Sequence, residues 1–248
     1  MKAADSVVYP RVRPYNERSI LVEFKPNIGS STLSELLFVK NLLENFYIKQ
    51  KVEIINAYSS ILIKYDLTID KIYSEVSVVK EVVSAPFVPL DKDFKTWRIP
   101  VCYDSKFGTD LDAISQDKKM TKEEIIELHS NGRYTVYFIG FLPGFLYLGG
   151  LDKKLCTPRK SIPNLNVKKG SVAIGGQQTG IYPQDSPGGW HVIGSTPVPF
   201  FDPHLNPPCF ATNNDVVKFK PITTEHYHYL QNEVEQNRYN WEKILEND

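Results

Sequence analysis

The sequence predicts an α+β protein in two parts, a small α/β sandwich followed by a β-rich region. Three observations carry that prediction. Over the first ninety residues the apolar positions alternate between a two-residue and a helical period. Beyond a proline-bearing break at 84–94, short apolar runs of four to nine residues are separated by Gly and Pro turns. Eleven of the fourteen glycines fall between residues 140 and 194, where backbone must turn tightly or approach something closely.

Taken in order, SILVEF (19–24) reads as a short strand. STLSELLFVKNLLENFYIK (31–49) places Leu33, Leu36, Leu37, Leu43 and Phe46 at helical spacing, with Thr32 and Glu35 spaced as a capping box. VEIINAYSSILIKYD (52–66) is β-branched and alternating, which predicts two strands joined near Tyr58-Ser59-Ser60. LTIDKIYSEVSVVKEVV (67–83) is helical, with Ile69, Ile72, Val76 and Val79 on one face. The order β-α-β-β-α, with an optional closing strand, is that of a ferredoxin-like sandwich. SAPFVPLDKDF (84–94) breaks both periods and is the linker, giving domains at 1–88 and 89–248.

The second part offers WRIPVCY, RYTVYFIGF, GSVAIGG, HVIGSTPVPF and DVVKFKPI as strands, the pattern of an all-β barrel or sandwich. One helix interrupts it, TKEEIIELHS (121–130), with Thr121 and Glu124 as a second capping box. The tail (223–248) spaces Tyr227, Leu230, Val234 and Trp241 for a terminal helix.

Composition narrows the function. With 29 basic and 29 acidic residues the net charge is zero, so no surplus of cations is available to neutralise nucleic-acid phosphates. No run of eighteen apolar residues suggests a membrane span, and the first residues lack the apolar core of a secretory signal. Three scattered cysteines argue against a disulfide framework. A cytoplasmic chain is expected.

Phosphate-binding loops, dinucleotide fingerprints, nucleophile elbows and HExxH are absent. His226 and His228, two apart, would sit on different helix faces, and Gly108 is at the wrong offset for Asp104, Asp110 and Asp112 to form a calcium loop. No metal site is expected, and a capped loop before a helix accounts for the aspartates better. Three segments remain. FIGFLPGFLYLGGLD (138–152) turns at Pro143-Gly144 and leaves Phe145 and Tyr147 beside the bend, either as barrel-corner packing or as a groove rim. TPRKSIPNLNVKKGSVAIGG (157–176) carries Arg159 after Pro158, ahead of a basic stretch that reads equally as a solvated loop. GGQQTGIYPQDSPGGWHVIGSTP (175–197) sets Gln177, Gln178, Thr179, Tyr182, Asp185, Ser186 and His191 between glycines, with Ile181 and Trp190 read as core. Polar groups on a rigid rim are what a small polar ligand requires.

These segments, with IPVCYDSKFGTDLDAI before them, resemble the family of the 5-oxoprolinase B subunit, which also includes the histidine-kinase inhibitor KipI and allophanate hydrolase subunit 1. The resemblance is densest from about Arg98 to Asp202 and extends through the N-terminal region. It implies a ferredoxin-like domain followed by a cyclophilin-like β-barrel. It also implies a heteromer with a C subunit, and an A subunit with which the set opens 5-oxoproline to glutamate using ATP. No nucleotide motif is present, so ATP belongs to the assembled complex, and this chain alone is expected to be inactive. On that reading Gln177, Gln178, Thr179 and Tyr182 donate hydrogen bonds to the substrate, Asp185 and Ser186 complete its polar rim, Arg159 pairs with its carboxylate, and His191 is the candidate proton carrier. Pro143, Phe145, Tyr147 and Trp190 form the groove or partner surface. Three positions depart from the family pattern: Ser195 stands where Arg is expected, His191 where Gln is common, and Leu146 where Pro is frequent. Two other roles remain open, a KipI-like inhibitor whose aromatic rim meets kinase helices, and a component of an allophanate or urea carboxylase system.

Overall fold

The computed structural model describes residues 8–26, 29–89 and 93–246, apart from the side chains of Ser30 and Trp241. The chain divides into two compact units between Lys92 and Asp93. Of the expected linker, residues 90–92 lie outside the described residues.

The first unit runs β1 (Arg11–Asn16), β2 (Ser19–Glu23), α1 (Ser30–Phe46), β3 (Val52–Asn56), β4 (Ser60–Tyr65) and α2 (Ile72–Val83). Its antiparallel sheet has the order β1-β2-β4-β3. The predicted strands and helices are present, but the place of a closing strand after α2 is taken by β1, ahead of β2. RVRPYN carries two arginines and a proline, so its sequence shows no apolar alternation. Ile20, Val22, Ile61 and Ile63 project from one sheet face and bury with Leu36, Leu43, Val76 and Val79 of the helices. Two local expectations fail. Helix α1 starts earlier than predicted, with Gly29 as its N-cap, so Thr32 is buried inside the helix and makes no capping box with Glu35. Helix α2 starts at Ile72, leaving Ile69 in the preceding loop.

The second unit runs β5 (Thr96–Val101), α3 (Leu111–Lys118), α4 (Lys122–Ser130), β6 (Tyr134–Ile139), β7 (Leu146–Gly149), β8 (Asn164–Val167), β9 (Ser171–Gly175), β10 (Gln178–Ile181), β11 (Ser186–Gly188), β12 (His191–Ser195), β13 (Val216–Pro221), α5 (Thr224–Glu235) and β14 (Leu245–Glu246). Eight strands form one sheet in the order β12-β9-β10-β7-β6-β13-β5-β14, and β8 and β11 pair separately. Among the described residues the ladder is not continuous around a barrel. Its two sides meet at a single antiparallel bridge between Cys102, just past β5, and Ser195 of β12. The Thr121–Glu124 capping box forms as expected, with Glu124 N donating to Thr121 Oγ1 at 3.1 Å and Thr121 N to Glu124 Oε2 at 2.7 Å. The terminal helix is shorter than its predicted tail: α5 ends at Glu235, and the side chain of Trp241, which entered that helical pattern, lies outside the described residues.

The core of this unit is apolar and built from the predicted runs, including Ile99, Val136, Val172, Ile193 and Val217. A buried carboxylate, Asp215, accepts from Lys95 N, Trp97 Nε1 and Thr212 N at 3.0, 2.8 and 2.9 Å. Those bonds anchor the start of the parallel β5–β13 pair. A second, smaller cluster of Phe145, Tyr182, Trp190, Val167, Ala173 and Val192 lies to one side, and its three aromatic rings contribute to the floor of the candidate site.

Candidate functional site

The glycine-rich segment forms the strands that support this aromatic floor. β9 and β10 are antiparallel neighbours joined by a tight turn at Gly176, whose φ of +64 is left-handed. Gly175 has no side chain because Trp190 lies flat against it: an added Cβ would sit 2.5 Å from the indole ring. At Gly188 a Cβ would come within 2.2 Å of the Tyr182 hydroxyl. The glycines therefore admit large rings against the backbone, which explains their density among aromatics.

A groove of about 350 Å³ opens over these rings. Phe145, Tyr147, Tyr182 and Trp190 form its floor, Phe141 and Pro163 its rim, and Arg159 overhangs it. Phe145 meets Tyr182 and Trp190 edge to face, with centroids 5.2 and 5.7 Å apart, the arrangement favoured by ring quadrupoles. The Arg159 guanidinium lies 5.8 Å above the Trp190 ring. Burial raises the pKa of Tyr147 and Tyr182. The Arg159 charge opposes the rise at Tyr147, and at Tyr182 a hydrogen bond from the Trp190 backbone opposes it more than Arg159 does, so both phenols are neutral at physiological pH and can donate. A larger hollow of about 430 Å³ lies in the first unit, beside Arg18, Lys51 and Lys64. Lys64 is paired there with Glu53 at 3.0 Å, and Arg18 bonds the Asp66 carbonyl. The aromatic groove is smaller, but it sets a cation with no carboxylate partner among the described residues over a floor of packed rings, and it is therefore the stronger candidate.

The expected site residues divide. Arg159, Phe145, Tyr147, Tyr182 and Trp190 converge on the groove. The others do not line it. Thr179 is fully buried on the opposite side of β10. Its hydroxyl donates to Ala173 O at 3.0 Å and accepts from His129 Nε2 at 2.9 Å, while Tyr103 OH lies 2.8 Å from His129 Nδ1. Since Thr179 donates to a carbonyl, His129 carries its proton on Nε2 and Tyr103 donates to Nδ1. Burial drives the His129 pKa down to about 3, so the imidazole is neutral. Thr179 thus belongs to a closed polar chain in the core.

Asp185 is exposed, pairs with Lys168 at 2.8 Å and accepts from Lys169 N at 2.8 Å. The Lys168 bond holds its pKa below the usual carboxylate value. Ser186 donates to its neighbour Pro187 O at 3.2 Å, Gln177 is exposed at the β9–β10 turn, Gln178 begins β10, and Pro143 is exposed beyond the rim. The His191 ring donates through Nε2 to Pro158 O at 3.0 Å, which commits that nitrogen to the backbone next to Arg159. Among the described residues no group of His, Cys, Asp or Glu is arranged to hold a metal ion, and no helix is long and apolar enough to cross a membrane.

The sequence places Asp110 in a capped loop before a helix, and the capping part of that expectation fails. Asp110 occupies the N-cap of α3 but makes no cap bond there. Its carboxylate instead grips Lys160 Nζ through both oxygens at 2.7 Å and accepts from Val192 N at 2.7 Å. Only the Asp-before-helix pattern was visible locally, and its partners lie 50 and 82 residues away.

Residues 10–211 match the family described as carboxyltransferase domain, subdomain C and D. The chain is 40% identical to the 5-oxoprolinase B subunit of Bacillus subtilis (strain 168) over 197 residues, covering 73% of this chain and 80% of that protein. It is 50% identical over 121 residues to the 5-oxoprolinase B subunit of Haemophilus influenzae, covering 49% of this chain and 57% of that protein. The fold is similar to part of the crystal structure of the K. lactis urea amidolyase, with a TM-score of 0.80 at 16% identity. That match covers 98% of this chain and 17% of the amidolyase.

Proposed function

Because the chain belongs to the carboxyltransferase-domain family of subdomains C and D, in which its matched relatives are 5-oxoprolinase B subunits, we propose that it is the B subunit of an ATP-dependent 5-oxoprolinase and that its aromatic groove holds the substrate. The observation that carries the site assignment is Arg159, which has no carboxylate partner among the described residues, above a cluster of packed rings. 5-Oxo-L-proline is a small, nearly flat lactam bearing a carboxylate. Its ring suits the apolar floor, and its carboxylate suits a guanidinium that can offer two parallel N–H donors. Tyr147 and Tyr182, held neutral, are donors for the lactam oxygen.

An unstrained amide resists hydrolysis. ATP-dependent phosphorylation of the lactam oxygen releases ADP and makes the lactam carbon electrophilic. One water adds, the C–N bond breaks as the nitrogen takes up a proton to leave an acyl phosphate, and a second water hydrolyses that to glutamate and phosphate. The chemistry of ATP belongs to the complex with the A and C subunits. This chain binds and orients, and its neutral phenols stabilise the oxygen as charge develops. In the same family reading, the four-stranded unit is ferredoxin-like and the eight-stranded sheet is a cyclophilin-like barrel joined at the Cys102–Ser195 bridge.

The test is glutamate formation from 5-oxo-L-proline and ATP by this protein co-purified with the C subunit, in the presence of the A subunit. Activity should disappear when this chain is omitted. A stable complex of the three with no turnover would refute the enzymatic reading and favour an inhibitor of the KipI kind.

A further inference from the structure

We propose that Asp110, acting through Lys160, is a positioning residue that fixes Arg159 over the groove; the inference rests on the substrate reading of that groove. The segment carrying Arg159 has no regular secondary structure, yet it is tied down on both sides of the arginine. Thr157 forms an antiparallel bridge with Gly176, through Thr157 N to Gly176 O at 3.0 Å and Gly176 N to Thr157 O at 2.7 Å. Pro158 O accepts a hydrogen bond from His191 Nε2, and Lys160 N donates to Gly189 O at 2.8 Å. Lys160 then turns its side chain away from the groove to Asp110. Of these two neighbouring cations, Arg159 is the one left facing the rings.

The Asp110 carboxylate is diverted to this task. An Asp at an N-cap ordinarily accepts from its own helix. Here that bond is absent, and the backbone of Asp110 is itself locked to β12, with Asp110 N donating to Val192 O at 2.9 Å. Gly108 is pressed so closely against Ile193 that a Cβ would lie 2.4 Å from its carbonyl oxygen, so the loop delivering Asp110 is seated on the same strand. The Lys160 and Asp110 side chains are only 22% and 18% exposed, so their pairing is weakly screened compared with a surface ion pair. β12 thus supports both sides: it carries His191 next to Trp190 and holds the carboxylate that anchors Lys160. Fixing the backbone and neighbour of Arg159 removes ordering cost that a mobile arginine would meet on binding.

The experiment uses the reconstituted enzyme and compares Lys160→Met, Arg159→Met, the double variant and Lys160→Arg by kcat and KM for 5-oxo-L-proline. Arg159→Met should raise KM by about thirtyfold, as expected for losing a charge-assisted carboxylate contact. Lys160→Met should raise KM by about fivefold with kcat within about twofold, because it loosens ground-state binding. The double variant should be no worse than Arg159→Met alone, since Lys160 acts only through the arginine. Lys160→Arg should restore most of the loss. An unchanged KM in Lys160→Met, or full additivity in the double variant, overturns the positioning role while leaving the groove intact. An unchanged KM in Arg159→Met overturns the groove itself. If Lys160→Met fails to assemble, Asp110→Asn reads the same quantity, since its amide oxygen can still accept from Val192 N while the charge holding Lys160 is gone; an unchanged KM there also overturns the role.

Discussion

Within β10, Thr179 points into the core and meets His129, while on the other side Gly180 lies against the Trp190 and Phe145 rings. One strand therefore separates two polar environments in opposite condition. On the inner face Tyr103, His129 and Thr179 pass hydrogen bonds in one direction to the Ala173 carbonyl, and each named group in that chain is used. On the outer face Arg159 overhangs four aromatic rings with no carboxylate partner among the described residues. What distinguishes a site from a polar core is unspent bonding capacity, and both faces draw on the same short stretch of sequence.

The sharpest way to break the comparison is on the inner face. His129 is fully buried, stacks on Phe219 at 4.5 Å, and bridges two hydroxyl groups. Replacing it with Ala would leave a cavity and strip the Tyr103 and Thr179 hydroxyls of their partner. The expected cost is about 4 kcal/mol, or a fall of about 10 °C in Tm for a unit of this size. Thermal unfolding measures it, and KM for 5-oxo-L-proline in the surviving enzyme should hardly move. A loss of substrate affinity out of proportion to the loss of stability would show that the two faces are not separate.

A second test uses proton linkage. Burial depresses the His129 pKa to about 3 in the folded protein, against about 6.5 in an unfolded chain. Above about pH 6.5 both states are neutral at this residue and its contribution is fully present. As pH falls below that value the unfolded state takes up a proton that the folded state refuses until about pH 3. Stability is therefore lost on acidification, by about 2 kcal/mol between about pH 7 and pH 5 from this group alone. Denaturant unfolding of the natural protein and of His129→Gln at both pH values isolates the contribution, because glutamine does not titrate. Equal pH slopes would mean that the imidazole is protonated inside the fold.

Much of this architecture was legible locally. The apolar runs 97–103, 133–141, 170–176, 191–200 and 215–222 each coincide with an observed strand to within a residue or overlap it, because strands buried on their inner face declare themselves by composition alone. The Thr121–Glu124 capping box was readable for a similar reason, since all its partners lie within four residues. The strands that escaped are short or carry Gly and Pro: β7, β8, β10 and β11 have three or four residues each. The site was half legible. Aromatics among glycines marked the groove, but the density of polar groups at 177–191 did not show which of them face it. Two-residue alternation along β10 separates Thr179 from Gln178 and Gly180, and was the available signal. Nothing local indicates that Asp110 leaves its own helix for Lys160, because its partners, the Lys160 side chain and the β12 backbone at Val192, lie 50 and 82 residues away.

Asp185 gives the smallest effect and the finest test of the division. Its place between glycines suggested a ligand contact, but its carboxylate is taken by Lys168 Nζ and Lys169 N at the turn into the β8–β11 pair. An exposed ion pair of this kind contributes about 0.5 kcal/mol, and Asn can keep the backbone bond. Asp185→Asn should therefore shift Tm by no more than about 2 °C and leave KM unchanged, in contrast to the about thirtyfold rise expected for Arg159→Met. A rise in KM approaching that of Arg159→Met would mean that Asp185 exchanges Lys168 for the substrate. In that case a saturated carboxylate on the outer face could be released on binding, and bonding capacity in the free protein would no longer identify the residues that touch the ligand.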